Sequence, residues 1–86
     1  MAESRVIFSG PTPARVAPLS ERSIEDIRDA LDAWLRAENV AREARVRPVA
    51  LGYVCTLYES AHAVAVERGT TSDLAIEHGL EKVGAL

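Results

Sequence analysis

The chain has 86 residues, a formal net charge of −3 and 48% apolar residues, with a single cysteine. That allows one domain at most, burying a smaller share of its surface than a larger domain does, and it excludes an internal disulfide while fitting a reducing compartment. The negative balance gives no general attraction to nucleic acid or an anionic membrane, and no signal-peptide pattern opens the chain, so the expected location is cytoplasmic.

Residues 1–22 read as an extended N-terminal arm. Ser4 to Phe8 fits one short strand, because Val6, Ile7 and Phe8 are strand formers and Gly10-Pro11 stops the run. Pro11, Pro13 and Pro18 then forbid a helix up to Ser20. From Ser23, which can cap a helix with Glu25 and Asp26 in its first turn, the spacing of Ile24, Ile27, Leu31, Trp34 and Leu35 predicts an amphipathic helix. Past Ala37 the apolar seam is taken over by Glu38, Arg42 and Arg45. Ion pairs at i, i+4, Asp32 with Arg36 and Glu38 with Arg42, would carry the helix on to about residue 45.

The longest weakly polar stretch runs from Pro48 to Gly69, with a proline suited to a first helical turn and a glycine suited to a left-handed cap. Placed at about 100° per residue, it forms a helix over 48–68 whose apolar arc exceeds half the circumference. An arc that wide must be covered from two sides. Thr70 to Asp73 can cap a third helix over 72–83, carrying Leu74, Ala75, Ile76, Leu80 and Val83. The expectation is therefore an all-α fold: a three-helix domain at 23–86 behind an extended arm.

Ser72 to Val83, SDLAIEHGLEKV, resembles the first helix and turn of a helix-turn-helix, with Ala75 as the small packing residue and Gly79 as the turn. Too few residues remain for a recognition helix presenting basic or amide side chains to a major groove. Arg36, Arg42, Arg45 and Arg47 form the one basic cluster and are candidate contacts for an anion or a partner's carboxylates, although Glu38 and Glu43 sit among them. Glu59 and His62 have the i, i+3 spacing of helical di-metal sites, without the second pair such a site needs, and no metal or cofactor is expected. Cys55 and His62 stand two turns apart on that helix, too far for a nucleophile and its base. No phosphate loop, triad or zinc spacing is present, so the chain alone is not expected to catalyse a reaction.

These features point to a non-catalytic helical interaction subunit. It would form a homo-oligomer, or be the small subunit of a larger complex that could itself be an enzyme, through Tyr53, Val54, Leu57, Tyr58, Ala61 and Val64. The motive is that the 48–68 arc carries more apolar surface than the flanking helices can cover. The alternative is a small DNA-binding regulator or antitoxin-like dimer working through Ser72 to Val83 or the arginines. A third reading has the subunit lining a cofactor or substrate pocket with Trp34, Tyr53, Tyr58 or an arginine. Nucleic acid is otherwise not an expected partner. Residues 49–66 approach the length of a membrane span but hold Glu59 and His62, so no membrane association is expected.

Overall fold

A computed structural model describes residues 4–10 and 22–86. Most of the expected arm, including its prolines, lies outside the described residues. The chain order is β1 (Arg5–Phe8), α1 (Ile24–Leu35), β2 (Arg42–Val49), β3 (Gly52–Glu59), β4 (His62–Gly69) and α2 (Ser72–Lys82). The four strands make one sheet in the order β1-β2-β3-β4, with β1 parallel to β2 and the other pairs antiparallel. The fold is α+β, which overturns the all-α expectation; the described residues form neither a three-helix domain nor a helical hairpin.

The helix expected over 23–45 stops at Leu35 and is capped at Arg36, and β2 occupies the rest. Its start is as the sequence implies, with the Ser23 hydroxyl accepting a hydrogen bond from the Asp26 backbone N–H at 3.0 Å. In Arg42–Val49 burial alternates: Ala44 and Val46 are wholly buried while Arg45 and Arg47 are exposed. That is the period of two of a strand with one covered face. Arg42 does not pair with Glu38 along a helix. It bonds Glu59 across the β2–β3 pair, donates to the Trp34 carbonyl at 2.8 Å, and lies 4.7 Å from the Trp34 ring centre. Pro48 sits beyond the end of β1, which pairs only as far as Val46. There β2 is itself an edge, and a missing N–H is tolerated.

The helix expected over 48–68 is overturned most completely, since those residues form the β3–β4 hairpin. Its turn is Ser60-Ala61, both at positive φ (50° and 68°), the left-handed pair that a two-residue hairpin turn matching strand twist requires. Sequences signal such turns with Asn-Gly or Asp-Gly, and Ser-Ala carries no such mark. A bulge between Leu57 and Tyr58 sets Ala63 opposite Tyr58 and Ala65 opposite Leu57. Gly69 is not a left-handed helix cap either. It ends β4 where a Cβ would lie 2.4 Å from the Ala75 backbone nitrogen, so α2 can start against the sheet only if this residue has no side chain.

Both helices lie on one face of the sheet. Ile27, Leu31, Trp34 and Leu35 from α1 and Ala75, Ile76 and Leu80 from α2 pack with Ala44, Val46, Cys55, Leu57 and Ala65. Arg28 of α1 and Arg22 just before it tie this segment to α2. Arg28 reaches Asp73 at 3.1 Å, and Arg22 reaches Glu77 at 3.0 Å and Glu81 at 2.9 Å. Asp73 and Glu77 are buried, so these pairs compensate charge taken out of water.

Candidate functional site

Strand alternation sends every second side chain to the side away from the helices. Register then assembles that side into rows. Arg5, Glu43 and Tyr58 form one; Ile7, Arg45, Thr56 and Val66 the next; Arg47, Val54 and Arg68 the third. Among the described residues no helix covers this face. Val66 is 57% exposed and Val64, at the bulge, 39%, while Val54 is buried between Arg47 and Arg68 in its row. An arginine lends its aliphatic stem to an apolar neighbour and keeps its head in water.

The face is also charged, with four arginines against one glutamate. Glu43 bonds Arg5 at 2.8 Å and also Arg45, and the two guanidiniums hold its carboxyl below the usual carboxylate range. Arg45 lies over the Tyr58 ring, 5.4 Å from its centre. Arg5, Glu43, Arg45 and Tyr58 line a concavity of about 370 Å³ together with Ala61 of the hairpin turn. Arg47 and Arg68 have no ion pair among the described residues. β4 borders the face as an edge strand with exposed His62, Ala63, Val64 and Val66. The Arg68 carbonyl at its far end is taken by His78 Nδ1 at 2.6 Å.

The residues expected to share one interface are scattered by the hairpin. Tyr58, Val54 and Val64 belong to the open face, Ala61 to the exposed turn, and Leu57 to the centre of the core at zero exposure. Tyr53 packs against the core on the helix side, beside a second concavity of about 440 Å³ that Leu51, Leu74 and His78 also line. The arginine cluster divides in the same way. Arg45 and Arg47 reach the open face, Arg42 is engaged with Trp34 and Glu59, and Arg36 caps α1.

Nor does Ser72 to Val83 form the turn of a helix-turn-helix. Gly79 lies inside α2, where a Cβ would come within 3.3 Å of Leu57 Cδ1 and 3.6 Å of Cys55 Sγ. It is a point of close helix–sheet approach, and Leu74 to Glu77 are all buried. Glu59 is held by Arg42 at one side of the β3–β4 turn and His62 is exposed at the other. Burial pushes the Cys55 thiol up from its ordinary 9.0 to about 12, which keeps it protonated and a poor nucleophile at neutral pH.

Sequence reasoning missed Arg5, Ile7, Glu43, Val66 and Arg68 as members of one face. The signal for part of it was present in the alternation of Glu43, Arg45 and Arg47 with Ala44 and Val46. Among the described residues no group of three or more His, Cys, Asp or Glu gathers as a metal site, and no helix is long and apolar enough to cross a membrane. Compared with family models, curated proteins and solved structures, the chain matches none.

Proposed function

We propose that this protein is a non-catalytic interaction and assembly subunit whose contact surface is the open face of its sheet. The observation that carries the reading is the one-sided packing of α1 and α2. It leaves Ile7, Tyr58, Val64 and Val66 among arginines on a face that no helix among the described residues covers. A mixed apolar and arginine-rich surface with an aromatic is the composition that protein interfaces favour. A long helix with surplus apolar surface does not exist here, because 48–69 lies mostly in strands and Leu57 and Tyr53 pack into the core. The DNA-binding alternative loses its helix, since α2 is spent on packing against the sheet.

Placing a photo-crosslinking amino acid at Val66, with the same group at exposed Lys82 as a control, tests the reading in the protein's native cell. Protein adducts are expected from position 66 and only background from position 82. Equal yields at the two positions reject the open face as a contact surface.

A further inference from the structure

The two outer surfaces of the molecule carry opposite charge. The open sheet face has Arg5, Arg45, Arg47 and Arg68 against Glu43. On the other side, the solvent-facing side of α1 has Glu25, Asp26, Asp29 and Asp32 against exposed Arg36 at its C-cap, an excess of acid, and none of the four carboxylates has an ion pair among the described residues. Arg28, which could have neutralised that stripe, is bound to buried Asp73 instead.

Resting on the reading of the open face as a contact surface, we propose that its partner is a second copy of this chain, with α1 of one copy laid across the open face of the next. Charge opposes the simpler arrangement of face against face, since each face carries four arginines against one glutamate and like would meet like. Dimensions agree as well. From Glu25 to Asp32 is roughly 10 Å along a helix at 1.5 Å per residue, and Arg47 and Arg68, two strands apart, stand roughly 10 Å apart across the sheet. Ala33 is exposed beside the carboxylates, a small residue that lets the helix approach Thr56 and Val66. The contact supplies the open face with the helical layer that the other face already has.

Docking of unlike surfaces does not close on itself at two copies, so assembly continues to a ring or a chain. Exposed ion pairs contribute little stability each, but opposed charged patches set partner choice and make association salt-dependent. Sedimentation of the purified full chain should therefore show a mass that grows with concentration beyond the dimer at low salt and falls back to the monomer in strong salt. Arg47→Glu with Arg68→Glu, or Asp29→Arg with Asp32→Arg, should each weaken association by roughly tenfold or more, and mixing the two variants should restore it. The milder Arg47→Gln with Arg68→Gln serves if the charge reversals disturb folding, and should weaken association by a smaller factor. A wild-type chain that stays monomeric, one that stops at the dimer, or variants that do not complement each other overturns the proposal. Crosslinks from Val66 that map to α1 of another copy support it. Crosslinks that map only to a different protein overturn it and leave the contact surface standing, whereas background yield at Val66 removes both.

Discussion

The two faces of the sheet are built from the same three long strands and differ in what each alternate side chain meets. On the covered face, Ala44, Val46, Cys55, Leu57 and Ala65 are buried under both helices. On the open face, arginines alternate with valines, a threonine and a tyrosine, and among these residues Val54 alone is buried. Most of the buried apolar surface is on the first face, and the second keeps Val66 and its arginines exposed. A polar substitution on the covered face, or at buried Val54, threatens the fold, while at exposed Val66 it should not.

Mutations should separate the faces sharply. Leu57→Ala removes a side chain with no exposure from beneath α2 and should cost about 3 kcal/mol. Val66→Ala, on the other face, should change stability by less than about 0.5 kcal/mol. Paired urea melts check the contrast, and equal losses would mean that the open face is covered in the isolated chain.

Next in size is the link between the helices. Arg28→Ala leaves the buried Asp73 carboxylate without its cation, when Asp73 Oδ2 already has no hydrogen-bond partner. A loss of about 2 kcal/mol is expected, measured by thermal denaturation, with Asp73→Asn recovering part of it in the double variant.

The hairpin turn should respond in the opposite direction. Ala61 at φ 68° strains a residue with a Cβ, so Ala61→Gly should stabilise the protein by about 0.5–1 kcal/mol. No gain would indicate that the Ser60-Ala61 turn is not the left-handed pair described.

Acid and alkali sharpen the comparison further. The folded Cys55 thiol has a raised pKa, so its contribution is full below its ordinary 9.0 and is lost as the pH climbs toward about 12. Glu43 has a lowered pKa, so its contribution is present above the ordinary carboxylate value and is lost as the pH falls through its folded value. Stability measured across pH should fall on the alkaline side in the wild type and less in Cys55→Ala. The acid-side contribution should be the smaller of the two, and Glu43→Gln should remove it.

Much of the local structure was legible. Ser23 and Thr71 cap helices at positions the sequence suggests, Ile27, Leu31, Trp34 and Leu35 form the buried stripe of α1, and Val6 to Phe8 lie in a strand. The central stretch was not legible as strands. Alanine and leucine at 50, 51, 57, 61, 63 and 65 satisfy a helical arc as readily as two alternating strands, and Ser60-Ala61 does not announce a turn. Arg5 and Arg68 could not be assigned to one face before the pairing of β1 and β4 was known, because they stand 63 positions apart in the chain.

By itself, then, the sequence determined the features that depend on neighbours within a few positions, namely the caps, the stripe of α1 and the helix α2. Tertiary structure alone decided that Pro48 to Gly69 doubles back as a hairpin and that Arg5, Arg45, Arg47 and Arg68 meet on one surface. The physical reason is that a helix closes its hydrogen bonds within one segment, whereas a strand closes them only with distant partners. The identity of a face is therefore a property of the pairing and not of the residues that compose it.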